Sequence, residues 1–378
     1  ARDSSFSLRD PGMDATAKAR QLNVAFLLDG SVQRVGNSLR IIVRLVDGAS
    51  GQYLWSETLD GTVTEVFDMQ DLIAASVVEY LEPISSVVSV KPVQRQVTDS
   101  SVAYDHYLLG RYALNDGSPD ALDRAVAAFD QAIELDDAFA LAYIGRAKAN
   151  SLRKGVLAVW DAPAPNQDPI RNDWFDYVYP VETREIGPLA KQLIGPDIEK
   201  AVELAPDLAE TQTAHGLFLL RTWRLDEADT VLKSAIEMNP SDAFAHGMLG
   251  LLYFEKNQYS LAVEHLETAL ALDPLSVPIR IDLANALMFT SDRERAITLF
   301  ESVRAMAPSR QGWIMVRYPL FHAGQYLDLV KLYLGVLAAI RDGELAEQPW
   351  IGELAFVVQW NYIYLGDIAG AQRLDDVW

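Results

Sequence analysis

The side chains best suited to chemistry in this sequence are five histidines and a large excess of carboxylates. The histidines are His106, His215, His246, His265 and His322. None of them forms the His-x-x-x-His or His-Glu-x-x-His spacing that puts two metal ligands on one helical face. Neighbouring carboxylates such as Asp136 and Asp137 are expected by chance among 53 acidic residues, and they favour a solvated surface over an acid–base pair. We therefore predict packing roles for the histidines, no catalytic residues and no metal site.

Other kinds of reactive site are missing from the sequence as well. The chain has no cysteine, which excludes thiol nucleophiles, zinc–thiolate sites and iron–sulfur clusters. Neither a Gly-x-Gly-x-x-Gly loop, nor a Gly-Lys-Ser/Thr phosphate loop, nor a Gly-x-Ser-x-Gly elbow occurs. The sequence therefore predicts a protein that is not an enzyme and that needs no cofactor.

Charge and hydropathy narrow the class of partner. With 53 acidic and 32 basic residues, the formal net charge of the 378-residue chain is −21. A field of this sign repels a polyanion, so no nucleic-acid partner is predicted for this region. No uncharged apolar run reaches the length of about 18 residues that a membrane-spanning helix needs, so no transmembrane segment is predicted in this chain.

The first part of the chain has the pattern of a small α+β domain. Apolar and polar side chains alternate after Gly36-Asn37, which predicts a strand with one buried face following a hairpin turn. The buried face carries Leu39, Ile41, Val43 and Leu45. A helix is predicted from about residue 65 to 81. We assign residues 1–83 to the α+β domain and residues 84–100, which lack helical periodicity, to a linker.

The remaining sequence repeats with a period of 34 residues. Four prolines mark the period: Pro206, Pro240, Pro274 and Pro308. Three further columns follow the same frame, namely Gly216/Gly250/Ala284, Ala228/Ala262/Ala296 and Leu232/Leu266/Phe300. Small residues let two helices approach closely, a large apolar residue fills the gap between repeats, and proline ends the second helix. This pattern is typical of the tetratricopeptide repeat and predicts an all-α superhelix, an α-solenoid.

We predict six or seven repeats over residues 101–378, interrupted by an insertion at 152–194. The sequence ends without an obvious polar capping helix, so we expect the natural protein to continue beyond Trp378. The insertion holds five prolines and a group of aromatic residues, Trp160, Trp174, Phe175, Tyr177 and Tyr179. It is interpreted either as a docking loop anchored by these rings or as a cover for an apolar flank of its own solenoid. Interleaved aspartates favour a neutral to basic partner.

First-helix positions of tetratricopeptide repeats line the concave groove of the array. In this frame the predicted partner-binding positions are Leu217, Arg221, Phe244, Met248, Leu251, Phe254, Asp282, Asn285 and Met288. The set is partly apolar and lacks a Lys/Arg/Asn clamp for an acidic carboxyl terminus, so it favours a helix or an extended apolar peptide. The alternative is that neighbouring repeats fill these positions. We expect a Leu251→Glu substitution to spare the fold and weaken partner binding.

The N-terminal segments also carry a family resemblance. They are residues 28–32 (Leu-Asp-Gly-Ser-Val), 40–47 (Arg-Ile-Ile-Val-Arg-Leu-Val-Asp), 51–57 (Gly-Gln-Tyr-Leu-Trp-Ser-Glu) and 66–70 (Val-Phe-Asp-Met-Gln). With the repeats, they resemble the TolB-amino-terminal-like domain that precedes tetratricopeptide repeats in bacterial adenylate/guanylate cyclase homologues and winged-helix transmembrane transcriptional regulators. The resemblance implies a further strand and helix ahead of Ala1, and hence an N-terminally truncated domain with an unpaired sheet edge.

The same resemblance implies a function. In that group this region is sensory or scaffolding, and the output domain or membrane segment to which it is tethered would lie outside this chain. We therefore predict a non-catalytic interaction and signal-receiving module of a bacterial regulatory protein, which holds a protein or peptide partner in the groove. The alternatives are a structural scaffold subunit of a larger assembly and a small-molecule sensor. The resemblance is compatible with a location on either side of the bacterial membrane, and the periplasm is slightly favoured over the cytoplasm.

Overall fold

A computed structural model of the protein describes residues 8, 12–62, 65–81, 98–116, 119–153 and 183–306. The chain divides into two compact units, and each is described by itself. Unit 1 comprises residues 1–163, 184–252 and 268–276, and unit 2 comprises residues 164–183, 253–267 and 277–378. The last predicted repeats, beyond residue 306, lie outside the described residues.

Unit 1 begins with a short helix, three strands and a longer helix. These elements are α1 (Ala15–Leu22), β1 (Phe26–Val35), β2 (Ser38–Asp47), β3 (Tyr53–Thr62) and α2 (Val66–Leu81). The strands form an antiparallel sheet in the order β1-β2-β3, and Val35 pairs with Ser38 across the predicted hairpin turn. Gly36 in this turn has a φ of 60°, a conformation that glycine adopts without steric cost.

One face of the sheet forms the core of this part, as the alternation in β2 predicts. Leu39, Ile41 and Val43 pack with Met69 of α2, and Trp55 and Leu59 of β3 complete the cluster. Strand β1 lies at the edge and pairs with no described strand on its outer side. Its Leu28 and Val32 side chains stay exposed. Helix α2 therefore covers the β2–β3 part of this face and leaves Leu28 and Val32 of β1 exposed.

The helices of the repeats follow from residue 101. They are α3 (Ser101–Asp116), α4 (Pro119–Leu135), α5 (Ala140–Arg153), α6 (Thr183–Leu193), α7 (Gly195–Leu204), α8 (Ala209–Arg221), α9 (Leu225–Met238), α10 (Ala243–Glu255), α11 (Tyr259–Leu272), α12 (Val277–Met288) and α13 (Arg293–Met306). The first helices of the described repeats are α3, α5, α8, α10 and α12, and the second helices are α4, α7, α9, α11 and α13.

Small residues allow the close helix crossings of unit 1. A Cβ atom added to Gly216 would lie 2.4 Å from Leu232 Cδ2, so the large side chain of α9 fills the space that the glycine of α8 leaves. Phe129 of α4 occupies the same kind of gap twice, 2.7 Å from an added Cβ at Gly110 and 2.4 Å from one at Gly145. Phe129 is fully buried. The packing thus explains the small-residue columns in physical terms.

The predicted insertion is helical at its end. It was predicted at 152–194, but α6 occupies residues 183–193 of this range and is followed almost directly by α7. Ala190 of α6 is fully buried in a cluster with Ala147 of α5 and Phe218 of α8. The sequence did not predict this helix, because Pro188 lies inside it and the segment is too short to show a clear period.

Candidate partner-binding surface

Five predicted groove residues lie in unit 1, and the structure buries most of them. Leu217, Met248 and Leu251 are buried, whereas Arg221 and Phe244 are half-buried. The buried three form the apolar interior of the first helices α8 and α10. The expectation that Leu251→Glu would spare the fold is therefore withdrawn, because it would place a carboxylate at a site only 9% exposed.

A cation–π contact joins two first helices of unit 1. The Nζ atom of Lys148, on α5, lies 5.5 Å from the ring centroid of Phe244, at the start of α10. Such a contact contributes about 0.5–1 kcal/mol at an accessible site. Lys148 was not among the predicted site residues, because nothing in a 34-residue period indicates a contact between residues 96 positions apart. Phe244 and Lys148 are both half-buried, and together they place an ammonium group beside an aromatic ring at this surface.

The N-terminus of α10 is fixed by a polar network beside Phe244. Asp242 Oδ1 accepts hydrogen bonds from the backbone N–H groups of Phe244 and Ala245 at 3.0 and 3.1 Å. Its other oxygen, Oδ2, lies 2.9 Å from the Thr213 hydroxyl of α8, which donates to it. Asp242 is thus an N-cap that also links α8 to α10. The network holds the Phe244 backbone in place.

Two of the histidines pack within this layer, as predicted from the absence of metal spacing. His246 is 8% exposed, and its Nε2 atom lies 3.3 Å from the carbonyl oxygen of Pro240. Burial lowers the pKa of His246, although the Pro240 carbonyl and Asp242 oppose the shift. Burial also lowers the pKa of His215, with a smaller contribution from Arg224. Burial thus favours the neutral form of both rings.

The repeat with the insertion is held by a charged triad. Arg146 of α5 binds Asp197 of α7 through two hydrogen bonds, Nε–Oδ2 at 3.0 Å and Nη2–Oδ1 at 2.6 Å. Its Nη1 atom binds Asp130 Oδ1 of α4 at 2.7 Å. The two carboxylates hold the pKa of the Arg146 guanidinium above its ordinary value, against the opposing effect of burial. Arg146 is thus committed to structure and is not available to a partner.

Four predicted groove residues lie in unit 2. Asp282 and Met288 are buried, and Phe254 and Asn285 are half-buried. Phe254 belongs to a cluster of three rings: it meets Tyr259 and Phe289 edge-on at 5.6 Å, while Tyr259 stacks on Phe289 at 4.8 Å. Phe289 is 48% exposed, so the cluster reaches the surface of this unit. Neither Tyr259 nor Phe289 was among the predicted site residues.

The charge of the repeats is sorted between the two kinds of helix. The five first helices carry six basic and five acidic residues, whereas the five second helices carry six basic and fifteen acidic residues. Helix α5 alone has three basic residues and no acidic one. Among the ten described helices counted here, the excess of acidic residues is therefore confined to the second helices, and the first helices together are close to neutral.

The aromatic residues predicted to anchor the insertion lie outside the described residues; they are Trp160, Trp174, Phe175, Tyr177 and Tyr179. Within the described ranges, no group of three or more His, Asp or Glu side chains is arranged to hold a metal ion. None of the helices described is both long and apolar enough to cross a membrane.

Comparison with known families supports the repeat assignment. Two family models described as "Tetratricopeptide repeat" match residues 213–277 and 253–315. The predicted tetratricopeptide repeats are thereby confirmed for this part of the chain. Together with the N-terminal three-stranded sheet, this confirms the predicted fold class, an α+β part followed by an α-helical repeat array. Repeats of this kind mediate protein–protein interaction and scaffolding and are generally non-catalytic.

Relatives of known name share only parts of their length with this chain. "Putative adenylate cyclase 3" of Rhizobium meliloti (strain 1021) is 26% identical over 231 residues, which cover 61% of this chain and 35% of that protein. "Anaphase-promoting complex subunit 3" of Schizosaccharomyces pombe is 30% identical over 93 residues, covering 25% of this chain and 14% of that protein. This chain thus spans about a third or less of these relatives.

Solved structures include similar helical proteins. The crystal structure of PilW, a type IV pilus biogenesis factor, is 16% identical and covers 68% of this chain and 99% of its own, with a TM-score of 0.46.

Proposed function

We propose that this region is a non-catalytic protein-interaction module of a bacterial regulatory protein, and that the first helices of its repeats hold a partner segment. The observation that carries the proposal is the unequal distribution of acidic residues between the first and the second helices. A chain of net charge −21 keeps its first-helix layer near neutral while its second helices are strongly acidic. First helices that are nearly neutral can bind an apolar or mixed-charge peptide without electrostatic repulsion. The acidic second helices, by contrast, would repel an acidic peptide.

Within unit 1, the accessible part of this layer is smaller than the predicted groove. Leu217, Met248 and Leu251 serve as the packed base, and a partner reaches the half-buried Phe244 and Lys148. An aromatic ring on a fixed backbone loses little conformational entropy on binding and makes a good anchor. We place the partner's apolar side chain against Phe244, beside the Lys148 ammonium group.

The regulatory context rests on sequence. The segments that resemble a TolB-amino-terminal-like domain precede the repeats, and the relative from Rhizobium meliloti that matches 61% of this chain is named as an adenylate cyclase. In this proposal the module receives a binding event and an output domain outside this chain responds to it. A solenoid suits this task because each repeat contacts only its neighbours, so a bound segment can change its curvature.

The proposal is tested by capturing partners from the native cells with the tagged full-length protein and with two variants. Phe244→Ala removes the proposed anchor on a first helix. Met238→Ala is the matched control, since Met238 is a 39% exposed apolar residue on the second helix α9. We expect Phe244→Ala to weaken the captured partner's binding by about tenfold and Met238→Ala to leave it within about twofold. Equal loss, or no loss, in both variants contradicts a first-helix site; thermal melts confirm that both variants fold.

A structural scaffold subunit is the second candidate. The observation in its favour is the similarity to a relative that is named as a subunit of the anaphase-promoting complex. A scaffold has a fixed stoichiometric partner through all conditions, whereas a signal-receiving module binds conditionally. The stoichiometry of the captured complex across growth conditions separates the two.

A further inference from the structure

The contact between Lys148 and Phe244 joins two repeats that are not neighbours in the array. Lys148 lies on α5 and Phe244 on α10, and the first helix between these two in the chain is α8. In a solenoid each repeat ordinarily contacts only the repeats next to it. A side-chain contact that spans an intervening repeat therefore depends on the packing angles at both repeat interfaces at once.

The contacts of α8 show that it lies between the two helices. Its Ala214 and Phe218 pack in one cluster with Ala147 of α5. Its Thr213 hydroxyl donates a hydrogen bond to Asp242, the N-cap residue of α10, at 2.9 Å. Because α8 contacts both neighbours, the ammonium group from α5 and the aromatic ring from α10 meet across it.

The Lys148–Phe244 contact lies on the side of α8 that faces away from α9. Helix α9 covers the other side, where Leu232 fills the space over Gly216. Both side chains of the contact are half-buried, so they lie at the surface of the first helices and not inside the α8–α9 interface. This is the surface on which the proposed function places the partner segment, and the present inference rests on that proposal.

The contact leaves no room for a peptide between its two side chains. The Nζ atom of Lys148 is 5.5 Å from the ring centroid of Phe244. An extended segment needs about 5 Å to a neighbour on either side, or about 10 Å in all. A partner segment that crosses α8 at this level therefore has to separate the two side chains.

We propose that the Lys148–Phe244 contact is autoinhibitory, because it holds the repeats around α8 in a closed arrangement that a bound partner segment has to open. In the open arrangement the partner's apolar side chain packs on the Phe244 ring, and the ammonium group is moved aside. The free energy of the contact then opposes partner binding. Loss of the contact alone should favour the open arrangement and tighten the complex.

Spin-label distances in the full chain test the contact without any partner. The chain has no cysteine, so Ala138→Cys and Ser241→Cys provide two exposed labelling positions, one before α5 and one before α10. Lys148→Met removes the ammonium group and keeps a long side chain, and the ratio of the long-distance to the short-distance population should rise about two- to fivefold. Lys148→Arg should keep the short distance, because a guanidinium makes the same kind of contact. An unchanged ratio in Lys148→Met would overturn the proposal.

Lys200→Met is the matched control for the loss of a lysine charge. Lys200 binds Glu203 within the second helix α7, at 3.1 Å. This substitution should leave the ratio of the two populations unchanged. A rise as large as that in Lys148→Met would mean that the change of net charge, and not the loss of the contact, opens the array.

Capture of the partner from native cells tests the autoinhibition itself. Lys148→Met should tighten the captured complex by about two- to fivefold, whereas Phe244→Ala should weaken it. Weaker or unchanged binding in Lys148→Met would contradict autoinhibition, since Lys148 would then be a contact of the partner or have no part in binding. If Phe244→Ala leaves the capture unchanged, the proposed partner site is wrong, and the spin-label distances still decide whether the contact closes the array.

Discussion

In the repeat that carries the insertion and in the repeat that follows it, different contacts hold the second helix against the first. Helices α8 and α9 are joined by a short turn, and Leu232 fits the gap over Gly216. Helices α5 and α6 are separated in sequence by residues 154–182, which lie outside the described part of the chain, and α7 is held to α5 by the Arg146–Asp197 pair. The second solution adds directional charged bonds to the apolar packing of Ala140, Tyr143 and Ala201.

The two kinds of contact differ in how narrowly they fix the position of the second helix. A short turn restricts how the second helix can pack on the first. A long connection costs more entropy on closing, and it lets the second helix pack in several registers. A bidentate arginine–carboxylate pair has one favourable geometry, so it selects one register where apolar packing alone would accept neighbouring ones. We infer that the triad sets the position of α7.

Breaking the triad should have the largest effect. Arg146→Ala leaves the Asp197 carboxylate, whose side chain is 10% exposed, without its cation, and this should cost about 3 kcal/mol of the free energy of unfolding. Hydrogen exchange should speed up most in α5 and α7. The apolar double variant Arg146→Met with Asp197→Leu should recover most of the stability, because no charge then stays buried.

The surface pair Arg153–Asp123 provides the control. It joins α5 to α4 at 3.0 Å, but both side chains are more than a third exposed. Arg153→Ala should therefore change the stability by less than about 1 kcal/mol. If Arg146→Ala and Arg153→Ala lose the same amount, the triad does not set the register of α7.

Overpacking the regular repeat should come next. Gly216→Ala places a Cβ atom 2.4 Å from Leu232 Cδ2, and relief of this clash should cost about 2 kcal/mol in unfolding experiments with denaturant. Gly195→Ala is the matched control, because its Cβ atom would meet Phe218 at an ordinary 3.5 Å. A stable Gly216→Ala variant would show that α8 and α9 can separate at no cost.

The sequence predicted the regular repeats well and the interrupted one poorly, for a physical reason. A column such as Gly216 and Leu232 recurs every 34 residues, because each repeat makes the same local contact. The Arg146–Asp197 pair joins residues 51 positions apart and occurs once, so no period indicates it. The strand β2 was predictable because the four residues Leu39, Ile41, Val43 and Leu45 recur at every second position. Helix α6 was missed because it contains Pro188 and is too short to show a clear period.

The candidate site was predicted only in part for a related reason. The period identifies which first-helix positions share a register, but burial depends on what lies beside them. It could not indicate that Met248 and Leu251 are buried while Phe244 is partly accessible, or that Lys148 lies over its ring. Charge sorting between first and second helices was available from the sequence once the helix pairs were known.

The neutral histidines should make the regular repeats sensitive to acid. Because burial lowers the pKa of His246 in the folded state, the unfolded chain takes up a proton first as the pH falls below the ordinary value of 6.5. The free energy of unfolding should then decrease by up to about 1.4 kcal/mol per pH unit for this group. His246→Gln should flatten part of the decrease, and His215→Gln should do the same, in urea melts from pH 7.5 to 5. A slope unchanged in both variants would assign the acid sensitivity to carboxylates.

Substitutions in the turn after α8 should have the smallest effect on stability. Whether glycine or alanine is the more stable residue there should depend on the backbone conformation. Trp223 has a φ of 59°, in the left-handed region, where a side chain costs about 1 kcal/mol and glycine does not. Trp223→Gly should therefore be about 1 kcal/mol more stable than Trp223→Ala, and comparing these two variants cancels the loss of the indole contacts. At the exposed Thr230 in the middle of α9 the order should reverse, with Ala more stable than Gly by a similar amount. The same order at both sites would mean that the turn at residue 223 relaxes to a right-handed conformation, and that the short turn does not restrict how α9 docks on α8.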